Sequence, residues 1–247
     1  MIKFLRHLRH QFLKENNISK YLLYAIGVIL LVVIGILIAL QINNWNQNRI
    51  NSIRESLLLR EINIEFKFNT EELESTVRTY VHIREQCNYL LKSLPVIRSE
   101  MNKDSLSRAL SEIRNLGTAD LSMGSISALI NTSSFEFISN TELRSLLIQW
   151  DDLISDYFER EGQAINYTRQ TIIPYLAKRI PRPYIEGIND DRVDLSFMNS
   201  IEFENLIIDR RGDASTLLNV VEDEEDKIRK ALDRIIFLTN GNKERQK

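Results

Sequence analysis

Asp190, Asp191 and Asp194 stand close enough together to offer oxygen ligands to a hard cation. A calcium loop of the EF-hand kind needs ligands at set alternate positions and a glycine at the sixth. The stretch INDDRVDLSF has neither the spacing nor the glycine, so no metal site is assigned. His82 is the single histidine outside the N-terminal leader, which carries His7 and His10. A general base needs a nucleophile or an orienting carboxylate beside it, and the sequence places neither next to His82. Cys87 is the chain's one cysteine, which excludes an intrachain disulfide and any multi-cysteine metal centre. There is no G-x-S-x-G, Gly-rich phosphate loop, H-E-x-x-H or C-x-x-C. The acidic run Glu222 to Asp226 lies mostly on the polar side of a helix and reads as a solvated face. No catalytic, metal-binding or cofactor-binding residue is assigned, and no enzyme activity is expected.

The elements that must carry these residues are organised by one stretch, YLLYAIGVILLVVIGILIALQINNW, from Tyr21 to Trp45. No charge interrupts Leu22 to Leu40. At about 1.5 Å per residue, Tyr24 to Trp45 spans roughly 32 Å, close to the hydrocarbon thickness of a bilayer. A cleaved signal would have a shorter apolar core and a small-x-small exit; this run ends Leu40-Gln41-Ile42-Asn43 and offers no such site. Residues 21–45 are therefore expected to form a retained transmembrane helix.

The leader, residues 1–20, carries Lys3, Arg6, Arg9, Lys14 and Lys20 against a single acid, Glu15. Ile2, Leu5, Leu8 and Phe12 recur at helical spacing, so the leader reads as an amphipathic helix on an anionic inner leaflet. The competing reading is a solvated basic segment that only sets topology. Residues 43–57 contain just Arg49 and Arg54 as basic groups, so the positive-inside rule puts the N-terminus in the cytoplasm and the C-terminal domain in the periplasm. Tyr21 and Tyr24 at one end, with Trp45 at the other, match the two interfacial aromatic belts. Gly35 and Ala39 form a small-xxx-small pair, with Gly27 about 80° away around the helix. Such a face lets two backbones approach and drives helix association; the plainer reading is that these are ordinary membrane-helix residues.

The string SKYLLYAIGVILLVVIGILIALQINNWN (Ser19 to Asn46), behind its basic leader, resembles a family of uncharacterised single-pass membrane proteins of Bacteroidota, known only as a domain of unknown function. The resemblance is looser through ALINTSSFEFISNTELRSLLIQWDDLI (Ala128 to Ile154), where members carry a similar helix-turn-helix. Members commonly have Glu after the first membrane glycine; this chain has Val28. The resemblance implies an inner-membrane protein facing the periplasm and supplies no activity.

Residues 46–247 read as one helical domain. With 8 Gly and 4 Pro in 247 residues, turn-rich β architectures are disfavoured. Leu59, Ile62, Phe66, Asn69, Leu73, Thr76, Tyr80, Ile83, Cys87, Leu90 and Leu94 alternate steps of three and four, a heptad seam that Pro95 ends. Asn69 and Thr76 are polar seam positions that read as a locally wet bundle, the other reading being that they set register against a partner. Cys87 reads as a buried small apolar group, the other reading being a cross-link between paired chains. A short helix with Asp104 as N-cap and Gly117 as C′ residue should follow, then another over Gly124 to Asn131. Ser139 and Glu142 have capping-box spacing and should open a second long helix with Leu143, Leu147, Trp150, Ile154, Tyr157, Ala164, Thr168 and Ile172 on one face. Pro174 should kink or locally loosen it, and RIPRP at Arg179 to Pro183 should end it. Asn199 and Glu202 should cap a short helix ending near Gly212. The last long helix should bury Ala214, Leu218, Val221, Ile228, Leu232 and Ile235, and Gly241 should close it.

The expected architecture is all-α: an N-terminal transmembrane helix continuing as a stalk into an elongated periplasmic antiparallel helical bundle or coiled coil. Its long helices fall at about 46–94, 140–179 and 213–240. A net charge of −2 offers no basic face for nucleic acid. Two roles fit: an accessory or scaffold protein docking on envelope or membrane-complex partners or on itself, and a ligand-sensing domain signalling through a partner. A leader of about 20 residues holds no signalling module of its own, which favours the first.

Overall fold

The computed structural model describes residues 18–96, 102–132, 134–182, 188–222 and 227–240. Among them every regular element is helical. Helix α1 runs unbroken from Ile18 to Lys92, 75 residues. It is followed by α2 (Lys103–Glu112), α3 (Gly124–Asn131), a 3-10 turn (Ser134–Phe137) and α4 (Thr141–Tyr167). A π-helical turn (Thr168–Ile172) leads into α5 (Ile173–Ala177); a second 3-10 turn (Leu195–Asn199), α6 (Ile201–Glu222) and α7 (Lys227–Asn240) are the remaining elements among the described residues. The chain divides into two units between Glu55 and Ser56.

In the first unit the side chains from Ile29 to Arg49 are all exposed. In the second, the three apolar faces read from spacing are buried together. Of the α1 seam, Leu59 through Leu90 are buried and Leu94 is half-buried; the α4 face from Leu143 to Ile172 and the Ala214–Ile235 face are buried as well. Helix α4 packs on both α6 and α7. The Phe66 and Trp150 rings meet at 4.8 Å between centroids. Each fully buried Leu or Ile stabilises the fold by about 1.5–3 kcal/mol, so these faces dominate its energetics. Polar ties hold α7 in place, two ion pairs near the surface and one buried hydrogen bond. Arg234 grips Glu142 with two bonds of 2.6 and 2.7 Å, Arg229 reaches Glu74 at 2.6 Å, and Asn63 donates to Thr239 Oγ1 at 2.8 Å.

Several boundaries differ from those expected. Asn102, not Asp104, caps α2 by accepting the Ser105 N–H, and Asp104 sits in the first turn, where its charge suits the helix dipole. The C-cap of α2 is Ile113, so Gly117 closes no helix. It lies where the chain presses on Tyr80, and a Cβ there would come within 2.8 Å of the ring. Asn140 rather than Ser139 caps α4, accepting the Leu143 N–H at 3.0 Å. Ser200 Oγ, not Asn199, accepts the Phe203 N–H at the start of α6, while Asn199 exchanges two hydrogen bonds with Val96. Most consequentially, α6 does not stop near Gly212 but continues to Glu222. A glycine costs a helix interior about 1 kcal/mol, and burial of Phe203, Ile207, Ala214 and Leu217 along this helix outweighs it.

Pro174 acts as expected. It lacks an N–H and its ring crowds the carbonyl four residues back; the five-residue π-turn, Thr168–Ile172, ends two residues before it and contains that carbonyl's residue, Gln170. The end of the RIPRP stretch and the Gly241 stop lie outside the described residues, as do the side chains from Glu222 to Asp226.

Candidate functional site

Two groups of residues stand out among the described ones. The first is the apolar part of α1. It contains an 18-residue window of mean hydropathy 3.1, none of it buried, so the helix is long and apolar enough to cross a membrane once. Exposing Leu30, Leu31, Ile34, Leu37 and Ile38 to water would be costly. Gly27, Gly35 and Ala39 all lie on this helix and are exposed. A Cβ added at Gly27 or Gly35 would meet nothing within 4 Å, so no packing inside the chain explains either glycine. Trp45 is 67% exposed and Tyr24 half-buried. Tyr21 and Lys20 belong to the helix, but their side chains lie outside the described residues, as do Lys3, Arg6, Arg9 and Lys14 altogether.

The second group is a buried polar cluster within the folded unit, built around Arg210 and Glu161. Arg210 has no exposed surface. Its guanidinium donates to the carbonyls of Ile113 at 3.1 Å, Asn115 at 2.7 Å and Ala164 at 3.5 Å. The same group lies 5.7 Å from the Tyr80 ring centroid. Tyr80 donates its hydroxyl to the Gly117 carbonyl at 3.2 Å, and Glu161 Oε1 accepts from the Ala119 N–H at 2.7 Å and from the Tyr157 hydroxyl at 2.9 Å. Asn69 adds a reciprocal pair: it donates to the Ser122 carbonyl at 2.9 Å and accepts the Ser122 N–H at 2.7 Å. Thus α1, α4 and α6 each contribute a polar side chain that fastens the irregular stretch 113–122.

The electrostatics follow from desolvation. Burial lowers the pKa of the Arg210 guanidinium, with the Tyr80 hydroxyl, the Cys87 thiol and Asp213 opposing. Burial raises the Glu161 carboxyl against its two hydrogen bonds, and raises Asp213 against Arg210. Tyr80 and Cys87 are each pushed up to about 12, both mainly by burial. Cys87 is therefore a protonated thiol with no exposed surface, and neither a nucleophile nor a ready cross-link. Arg210, Tyr80, Glu161 and Asn69 all bond to backbone, Tyr157 bonds to Glu161, and the effect of the backbone bonds is to hold the 113–122 stretch.

Other expectations resolve locally. Asp190 grips Arg192 at 2.6 and 2.9 Å, which holds its carboxyl down at about 2, while Asp194 caps the 3-10 turn through the Ser196 N–H. His82 is half exposed, 3.9 Å from Glu85 and 3.8 Å from Glu112. Among the described residues no group of three or more His, Cys, Asp or Glu is placed to hold a metal ion. Asn69 is not at a wet position; it is fully buried and bonded to backbone.

Spacing alone did contain Arg210 and Glu161. Phe203, Ile207, Arg210, Ala214, Leu217 and Val221 alternate steps of four and three, and Tyr157, Glu161, Ala164 and Thr168 do the same. A helix end expected at Gly212 breaks the first series in two, and a seam counted from apolar residues alone passes over the second.

No family model matches this chain, and neither a curated protein nor a solved structure was found to match it.

Proposed function

We propose that this chain is a single-pass inner-membrane protein whose helical domain is held in the periplasm and serves as an accessory or scaffold subunit, without catalysis. The observation that carries the reading is the wholly exposed apolar window on the same helix that supplies the Leu59–Leu90 seam. Such a window suits a lipid surround, and residues of the same helix from Leu59 on are buried in the chain's own core. The basic leader against the sparsely basic stretch 43–57 orients the N-terminus toward the cytoplasm. The buried Arg210, Tyr80, Glu161 and Asn69 hydrogen-bond the domain's own 113–122 backbone, which suits a rigid docking module.

Orientation is tested with a reporter fused after Lys247, expected to be active only in the periplasm; cytoplasmic activity would refute it. The scaffold role is tested by isolating the protein in mild detergent. Stoichiometric protein partners are expected. A small molecule that raises the melting temperature, with no protein partner retained, would favour the ligand-sensing alternative instead.

A further inference from the structure

Within the folded unit, α1 carries a second apolar stripe that the core does not use. Leu57, Ile64 and Phe68 are 56%, 60% and 45% exposed. At about 100° per residue they fall within about 40° of one another, nearly opposite Leu59, Ile62 and Phe66, the part of the buried seam at the same height. Exposed Arg60, Lys67 and Arg78 make one flank of the stripe basic on balance, with exposed Glu71 among them; Glu61, exposed, and Glu72, half-buried, line the other.

We propose that this face binds a second copy of this chain as a parallel, unstaggered helix pair. The flanking charges select both the partner and its direction. Two identical helices related by an axis parallel to them set the basic flank of each against the acidic flank of the other. Turning one copy end over end sets like against like, which is unfavourable. Arg60 and Glu61 differ in height by only about 1.5 Å, so each Glu61 stands across from the other copy's Arg60 without any axial shift. Three apolar side chains per copy bury less than the roughly 1,200 Å² of a small stable interface. The pair therefore forms weakly between free chains and well when two copies share one membrane, where the effective concentration is high. In that respect the proposal rests on the membrane-anchored reading.

The test uses the full chain reconstituted in phospholipid vesicles, with flotation and helix content checked for every variant. Ile64→Cys is compared with Ile148→Cys, a site 65% exposed elsewhere on the domain; the native Cys87 is buried and does not compete. Mild oxidation should give covalent dimer from Ile64→Cys at about ten times the yield from Ile148→Cys, reflecting the raised local concentration. Adding Glu61→Arg to Ile64→Cys should abolish most of that excess, and adding Arg60→Glu as well should restore it. Protein that floats and is helical yet shows equal yields at the two sites overturns the pairing alone. An Ile64→Cys yield that falls with Glu61→Arg and does not recover in the double swap overturns the parallel arrangement. Protein that fails to float overturns the membrane reading, and the pairing with it.

Discussion

Arg210 Nη2 and the Asn115 carbonyl meet at 2.7 Å across 95 residues of sequence. The bond joins α6 to an irregular stretch whose backbone has no helix partner to turn to. Buried carbonyls need donors, and one guanidinium reaches three of them in a fixed fork. Arg210→Met should therefore leave several acceptors unsatisfied in a dry site and lower the unfolding free energy by about 3 kcal/mol or more. Chemical denaturation in mild detergent checks this. A loss under about 1 kcal/mol would mean that water replaces the guanidinium there.

Glycine has opposite meanings at two positions. At Gly117 a Cβ would lie 2.8 Å from one Tyr80 ring carbon, 3.1 Å from another and 3.3 Å from Thr76 Cγ2. Tyr80 is fully buried and cannot yield, so Gly117→Ala should cost about 1–3 kcal/mol through overpacking. At Gly162, inside α4, an added Cβ would meet nothing within 4 Å, so Gly162→Ala should gain about 0.5–1 kcal/mol. Thermal melts of the two variants should shift in opposite directions.

Glu161 makes stability depend on pH. Its carboxyl is raised in the folded chain, so it holds its proton more tightly folded than unfolded. Its favourable contribution is complete below the ordinary carboxylate value and is lost as pH rises through the raised one. Glu161→Gln keeps an acceptor for Ala119 and Tyr157 but never ionises. The variant should therefore gain on the wild type as pH rises from acid toward neutral. A stability difference that stays flat over that window would refute the assignment.

Cys87 should behave as core. With the thiol pushed up to about 12 and no exposed surface, it should resist a thiol reagent in the folded protein and react fully in denaturant. Rapid labelling of the native chain would show that the α1 seam opens there.

What the sequence determined by itself is what short-range geometry determines. The 3.6-residue turn makes burial periodic, so the residues of all three buried faces could be read one by one, and so could the charge-free run in α1 and the loosening at Pro174. Termini were harder: Asp104, Ser139 and Asn199 each sit one or two residues from the side chain that makes the cap, because neighbouring polar residues compete for the same N–H. The tertiary structure alone decided the polar interior. Whether Arg210, Glu161 and Asn69 can be buried depends on carbonyls and N–H groups of the 113–122 stretch, up to 97 residues away. It also decided that α6 passes through Gly212, because a local helix penalty of about 1 kcal/mol is smaller than the burial gained on either side. Spacing records which face of a helix turns inward; only the folded chain supplies the partners that make a charge tolerable there.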